Sequence, residues 1–243
     1  MLGFASGLPL ALTSGTLQAW ATVDGVSLQS IGFLTLVGTA YTLKFLWAPL
    51  VDRYAPAFLG RRRSWMFFSQ VLLAFFIAGM GFLAPSSHLG LLAVFAVIVA
   101  FLSATQDIAF DAYSTDVLRD QERAAGAALK VLGYRLAMIV SGGLALVLAG
   151  TWLGWQYTYV LMGLFMLVCA VATVLAPEPE VVAKAPRTLG LAVVEPLKEF
   201  FSRRGAVLIL VLIVLYKLGD AFAGALSTTF LIRGAGFSME EVG

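Results

Sequence analysis

The sequence predicts an all-α membrane protein with several spans, and three observations lead to this class. Hydrophobic residues make up 60% of the 243 residues and charged residues 12%, about half of the charged share in an average soluble domain. Seven apolar segments are long enough to cross a bilayer, which takes about 20 residues. Lys and Arg concentrate in alternate connections between these segments. A soluble core of this size could not bury so much apolar surface, so we expect the chain to lie in a lipid bilayer.

The expected spans lie near residues 1–20, 31–51, 65–84, 90–112, 126–149, 156–176 and 206–230. The connections near 52–64, 113–125 and 177–205 carry basic residues, and the other three carry none. Lys and Arg favour the cytoplasmic loops of membrane proteins. We therefore expect these three connections and the N-terminus to face the cytoplasm.

The composition also argues against several classes of partner. The formal net charge of +2 is too small to indicate nucleic-acid binding. The single cysteine, Cys169, excludes a disulfide within the chain, and His88 alone does not make a metal site. We expect no metal, no cofactor, no catalytic residue and no obligate protein partner.

A polar face within the fourth apolar segment is the first candidate site. Gln106, Asp107 and Asp111 interrupt this segment. A carboxylate at membrane depth costs a few kcal/mol or more, so it is usually paired, exposed to water or functional. Asp107 and Asp111 are four residues apart and share one face of a helix. Alternatively, both lie near the helix end and reach water by extending toward the interface.

Charged residues in two other spans are candidates for the same path. Arg135 is expected near mid-membrane, as a structural ion-pair partner of Asp107 or Asp111 or as a site for a substrate anion. Lys217 and Asp220 in the seventh span are three residues apart and either pair with each other or line a central path.

Three polar residues of the first two spans complete the candidate path. Lys44 lies in the second span, and Thr13 and Gln18 lie in the first. Thr13 and Gln18 either face a wet cavity or accompany small residues such as Gly3 and Gly7, which allow close helix packing.

The connection after the second span is a candidate gating loop. Its assigned residues are Asp52, Arg53, Gly60, Arg61, Arg62 and Arg63. A basic run at a helix end is commonly just a topology signal, but here an Asp-Arg pair precedes it. An aspartate at one helix end can pair with the basic end of its neighbour, and such contacts can form in one conformation and break in another.

A short internal repeat predicts the domain organisation. GVSLQSIG at Gly25–Gly32 matches GFSMEEVG at Gly236–Gly243 at an offset of 211 residues, with six spans between them. Parallel repeats of six helices form the two halves of major facilitator transporters. We therefore expect a six-helix bundle at 1–176, a cytoplasmic linker with an amphipathic helix at 177–205, and at 206–243 the first helix of a second bundle and the start of the next. The chain is then expected to be part of a transporter with twelve or more helices.

Several strings carry a family resemblance. The candidate gating loop resembles the major facilitator signature Gly-x-x-x-Asp-Arg-x-Gly-Arg-Arg, with extra residues between Arg53 and Gly60. More specific strings resemble the AmpG-type muropeptide permease family and together cover essentially the whole chain. These strings are LGFASGLPLALTSGTLQAW, KFLWAPLVDRY, ATQDIAFDAY, VLGYRLAMIVSGGLAL, LAPEPE and LYKLGDAFA.

The resemblance implies a proton-coupled importer of anhydro-muropeptides in the bacterial cytoplasmic membrane. Such an importer serves peptidoglycan recycling and the signal that induces β-lactamase. The first, fourth and seventh helices of this fold line the path. Arg135 and Lys217 then suit substrate carboxylates, and Gln106 suits sugars and amides. Asp107 is the first candidate for proton coupling and Asp220 is the second.

Other functions remain open at this point. A major facilitator transporter of acetyl-CoA, a sugar or a drug would share the fold, as would a receptor that does not transport. The pairs Asp107/Asp111 and Asp116/Asp120 superficially resemble the magnesium-binding motifs of intramembrane prenyltransferases. Those enzymes, however, place their two motifs on different helix ends, whereas these four carboxylates lie on one helix and its loop.

Overall fold

The computed structural model describes residues 1–54, 56, 58–178 and 189–229, with side chains described at 193–219 in the last range. Regular structure in these ranges is entirely helical. The predicted all-α class is confirmed, and each predicted span corresponds to a helix or to a series of consecutive helices.

The first six spans comprise ten helices: α1 (Leu2–Thr13), α2 (Gly15–Val23), α3 (Leu28–Leu34), α4 (Thr39–Leu43), α5 (Ala48–Arg53), α6 (Arg61–Met80), α7 (Pro85–Val117), α8 (Arg123–Met138), α9 (Ala145–Thr151) and α10 (Gly154–Leu175). Among the described residues, four uninterrupted helical stretches are long and apolar enough to cross a membrane. These are α6, α7, the stretch from α8 through α9, and α10.

The sequence had suggested that each of the first two spans is one continuous α-helix. In the structure both spans are interrupted. Ser14 separates α1 from α2 with φ −121° and ψ −103°. In the second span, 3₁₀ turns at Thr35–Gly38 and Lys44–Leu46 separate the three short helices. Thr35 and Thr39 donate hydrogen bonds to carbonyls three residues earlier, each at 2.7 Å. Such local bonds compete with the regular helical ladder, and a hydropathy pattern does not reveal them.

Two glycines on α1 set its distance from α8. A Cβ on Gly3 would lie 2.6 Å from the carbonyl oxygen of Lys130, and one on Gly7 would lie 2.5 Å from that of Tyr134. Both positions therefore require glycine for the two backbones to approach this closely. The predicted close packing of the first helix is present, and it brings α1 against the α8 segment that carries Lys130 and Tyr134.

The core joins α1 to the later helices. α6 packs against α7 and α10, and α1 packs against α7 and α8. Leu8, Leu12 and Tyr159 are fully buried, and the Tyr159 hydroxyl donates a hydrogen bond to the Leu12 carbonyl at 2.9 Å. α1 is thereby held from both sides, which positions its polar face toward α7.

A π-helical turn interrupts the fifth span between α8 and α9, at Ile139–Leu144. Such a turn frees backbone carbonyls from the regular ladder. The Thr16 hydroxyl on α2 donates a hydrogen bond to the Ser141 carbonyl at 2.6 Å. This contact fixes α2 against the fifth span directly after the break at Ser14.

The chain divides into two units between Leu189 and Gly190. The second unit contains α11 (Leu189–Ser202), except for its first residue, and α12 (Ala206–Thr229). The predicted linker helix exists as α11, while its place on the membrane surface and the predicted domain boundaries stay predictions. The side chain of Asp220 and the second repeat copy at Gly236–Gly243 lie outside the described residues.

Candidate functional site

Asp107 lies on α7, where the α1 helix crosses it. The Ser6 hydroxyl on α1 donates a hydrogen bond to Asp107 Oδ1. Ser6 is buried and Asp107 is half-buried. Lys44 and Lys130 are close enough to act on Asp107 electrostatically, but in the described part of the chain neither forms an ion pair with it. The direct partner of this carboxylate is therefore a neutral hydroxyl.

Asp111, one helical turn further along α7, has a different environment. Lys130 on α8 forms an ion pair with Asp111 Oδ1. The Lys44 ammonium group lies 3.8 Å from Oδ2. About a third of each lysine side chain and half of the aspartate side chain are exposed. Two cations facing one carboxylate leave a net positive charge.

Arg135 was expected either as an ion-pair partner of these carboxylates or as a site for a substrate anion, and the structure does not show the ion pair. Among the residues that the structure describes, Arg135 forms no ion pair with Asp107 or Asp111, and Lys130 takes that place. The two cations are five residues apart, which turns them about 140° away from each other around α8. Lys130 is the one that lies on the side of α8 next to Asp111.

Lys130 is the site residue that the sequence analysis missed, although depth in the membrane would have identified it. Asp111 lies six residues before the end of α7, and Lys130 lies seven residues after the start of α8. Because the two helices are consecutive and run in opposite directions, these positions lie at similar depth. A comparison of the depths of charged residues on consecutive spans would therefore have identified Lys130 as the partner of Asp111.

A cavity of about 410 Å³ opens along α8. Lys130, Val131, Tyr134, Arg135 and Met138 line it. Lys130 also lines two neighbouring cavities of about 290 and 220 Å³. An ammonium group, a guanidinium group and a phenol around one cavity suit a ligand with carboxylates and hydroxyls. The structure thus brings Arg135 to the cavity wall, although not to the carboxylates.

The other candidate residues lie in different places. Gln106 is buried, and its Oε1 has no hydrogen-bond partner among the described residues. Thr13 is buried and donates to the Pro9 and Leu10 carbonyls of its own helix, at 3.0 and 3.2 Å. Gln18 is half-buried on α2, and Lys217 is exposed on α12. The roles of these four residues stay predictions.

The candidate gating residues form a charged cluster at the ends of three helices. Asp52 on α5 forms an ion pair with Arg62 on α6. The Nε atom of Arg62 lies 3.5 Å from Asp116 on α7, and Arg61 donates to the Asp52 carbonyl at 3.4 Å. The expected contact between an acidic helix end and a basic neighbour is therefore present, while its gating role stays a prediction.

Arg63 extends this cluster to the end of a fourth helix, α10. It donates to the Ala176 carbonyl at 2.6 Å and lies 3.3 Å from a Glu178 carboxylate oxygen. Gly60 precedes this run with φ +80°, a backbone conformation that favours glycine. Arg53 stacks over the ring of Tyr54 at 5.5 Å. The arginine run is thus an anchor for several helix ends as well as a charge signal.

Comparison with known proteins places this site in a family context. The family model described as Major Facilitator Superfamily matches residues 1–243. The anhydromuropeptide permease of Escherichia coli strain K12 is 63% identical over 243 residues, which are 100% of this chain and 50% of that protein. An uncharacterized protein of Haemophilus influenzae is 43% identical, covering 99% of this chain and 57% of that protein. A putative transporter AmpG 4 of Rickettsia felis is 33% identical, covering 100% and 60%.

These matches decide the broad class. The chain spans about half the length of the curated relatives it matches. The predicted resemblance to muropeptide permeases is confirmed. With its apolar helices, the protein is a multi-pass membrane protein. The chain belongs to the Major Facilitator Superfamily.

Proposed function

We propose that this chain forms the N-terminal part of a proton-coupled transporter that carries anhydro-muropeptides from the periplasm into the cytoplasm. The observation that supports it most is the difference between two carboxylates on one helix face. Asp107 is held by a hydroxyl, whereas Asp111 is held by two lysines. The relative from Escherichia coli that is named an anhydromuropeptide permease supports the substrate.

The two carboxylates then take different roles. Two carboxyl groups in unlike environments commonly divide the work of a site between them. Asp111 pairs with the two lysines and stabilises their positions. Asp107 accepts and releases a proton, because its neutral partner Ser6 can stay in contact with either form. Protonation removes a charge from the bundle and permits the two halves of the transporter to rock about the site.

The substrate class fits the cavity along α8. Anhydro-muropeptides carry peptide carboxylates, amides and sugar hydroxyls. Lys130 and Arg135 supply positive charge for the carboxylates, and the Tyr134 phenol supplies a donor and acceptor for hydroxyls. The cavity of about 410 Å³ accommodates part of such a ligand, and the remaining contacts come from the second half of the protein. Gln106, Thr13, Gln18, Lys217 and Asp220 are proposed along the same path.

The cluster around Asp52 and Arg62 is proposed to gate this path at the cytoplasmic side. The basic connections of the sequence face the cytoplasm under the positive-inside rule, which puts the N-terminus there as well. The membrane is the bacterial cytoplasmic membrane. The six-helix bundle is residues 1–176, the linker is 177–205, and the second bundle begins at 206.

Uptake into membrane vesicles tests this function. The native protein is inserted, and radiolabelled anhydro-muropeptide is supplied with and without an imposed proton gradient. We expect accumulation that depends on the gradient. If the protein is correctly inserted but takes up no label, anhydro-muropeptide is not its substrate. An acetyl-CoA, sugar or drug transporter would then be favoured. Binding without flux at any pH would identify a receptor.

A further inference from the structure

The Lys130 ammonium group lies over the aromatic ring of Phe110 on α7, 5.2 Å from the ring centroid. A cation within about 6 Å of an aromatic face is attracted by the electron density of that face. The same ammonium group donates a hydrogen bond to Asp111, the residue that follows Phe110. Consecutive side chains leave a helix about 100° apart, so the ring and the carboxylate hold the ammonium group from two directions.

The ring is the more rigid of these two partners. Phe110 is 6% exposed, whereas about half of the Asp111 side chain is exposed. The ring belongs to a cluster of buried side chains, whose other members are Val51, Met66, Ala109 and Tyr113. Because this packing fixes the ring, its face can hold the long and flexible lysine side chain in one position.

An aromatic face also keeps the ammonium group able to bind a ligand. The group has three N–H donors, and Asp111 accepts a hydrogen bond from it. The ring attracts the positive charge without a lone-pair acceptor, and Lys130 lines the cavity of about 410 Å³ along α8. We propose that Phe110 is a positioning residue, whose ring holds the Lys130 ammonium group at the cavity wall, where it binds a carboxylate of the substrate.

Fluorine atoms on the ring test this contact without transport. Each fluorine draws electron density from the ring face and weakens its attraction for a cation, while the volume of the ring changes little. Phe110 is replaced by phenylalanines with one, two and three ring fluorines, and mass spectrometry follows acetylation of Lys130 in the whole protein. We expect the acetylation rate to rise with each fluorine, because the released side chain samples the open cavity. For three fluorines the rise should be roughly fivefold, which corresponds to about 1 kcal/mol.

Two controls separate this contact from a general loosening of the fold. Lys198 on the exposed face of α11 is acetylated in the same samples, and its rate should not change. The same fluorines are placed on Phe95, whose ring packs edge-on against that of Phe76, with centroids 5.1 Å apart. These should leave Lys130 acetylation unchanged. A constant Lys130 rate throughout the Phe110 series, or an equal rise in the Phe95 series, would overturn the positioning role.

The effect on substrate affinity rests on the proposed function. In vesicle uptake, we expect KM to rise with each fluorine on Phe110, by roughly fivefold for three, while the maximal rate stays the same. A purely structural role would not follow the number of fluorines, since the packing of the ring is preserved. An unchanged KM with faster acetylation of Lys130 would overturn the role of Phe110 in substrate binding. If the native protein takes up no anhydro-muropeptide, the proposed function fails, and the acetylation series still decides whether Phe110 positions Lys130.

Discussion

The hydroxyl of Ser6 on α1 donates a hydrogen bond to the carboxylate of Asp107 on α7. The residues are 101 positions apart in sequence, and the packing of α1 against α7 and α8 brings them together. One turn along α7, Asp111 forms its contacts with Lys130 and Lys44. The proposed division between a carboxylate that carries the proton and one that holds two lysines in place depends on this difference.

Removing the Ser6 hydroxyl tests its part in coupling. Hydrogen bonds to charged groups contribute about 1.5–3 kcal/mol, so we expect Ser6→Ala to reduce gradient-driven uptake roughly tenfold to a hundredfold. Ser202→Ala is a matched control, because the Ser202 hydroxyl donates to the Glu199 carbonyl of its own helix at the same length, 2.6 Å. Initial uptake rates in vesicles measure the effect. Equal rates in the two variants would show that the hydroxyl does not support the carboxylate.

Lys130 is expected to determine affinity for the anionic substrate. Lys130→Met keeps the length of the side chain and removes its charge, so we expect KM to rise roughly tenfold, or about 1.4 kcal/mol. The effect should shrink at high ionic strength, because the Lys130 side chain is partly exposed and salt screens exposed charges. Lys198→Met on the exposed face of α11 is the control. An unchanged KM in Lys130→Met would remove this residue from the substrate site.

The approach of α1 to α8 makes Gly7 intolerant of a side chain. A methyl group there would lie 2.5 Å from the Tyr134 carbonyl oxygen. We expect Gly7→Ala to destabilise the protein by about 1–3 kcal/mol through overpacking. Labelling of the buried Cys169 by a thiol-reactive dye on heating measures the change. Gly90→Ala is the control because a Cβ added there would meet no neighbouring residue within 4 Å. Comparable unfolding temperatures for both variants would contradict the close helix contact.

Asp24 gives the protein an acid-sensitive contact outside the spans. Its carboxylate accepts a hydrogen bond from the Ser86 backbone N–H at 2.7 Å, near the start of α7. Hydrogen bonding to Ser86 lowers the pKa of Asp24 below its ordinary value of 3.8. A lowered pKa in the folded state contributes stability above the unfolded value, and this contribution is lost as pH falls through the folded value.

We therefore expect the unfolding temperature of the native protein to fall more steeply than that of Asp24→Asn between about pH 5 and about pH 3. Asp120→Asn is the control, because Asp120 is 85% exposed beside Arg123. Parallel curves for native protein and Asp24→Asn would show that this contact does not stabilise the fold.

The sequence predicted the helical spans well because hydropathy and basic loops depend on residues close together in the chain. It did not predict the break at Ser14 or the 3₁₀ turns of the second span. Those depend on side-chain hydrogen bonds to nearby carbonyls, such as the bond from Thr39 to Leu36, and such bonds leave average hydropathy unchanged.

The candidate site was predicted only in part. Asp107 and Asp111 stand out because a carboxylate in an apolar segment is rare. Their partners depend on how helices rotate against each other, which the sequence of one helix does not give. Arg135 was therefore chosen over Lys130 because it was expected nearer to mid-membrane.

The most direct test of the proton-coupling proposal is Asp107→Asn in the native protein, assayed in two modes. Gradient-driven accumulation of labelled anhydro-muropeptide is compared with exchange across vesicles that contain unlabelled substrate. We expect the variant to lose accumulation and its pH dependence while it keeps exchange, because asparagine preserves the hydrogen bond to Ser6 but cannot carry a proton. Full accumulation with unchanged pH dependence would contradict the assignment of proton coupling to Asp107.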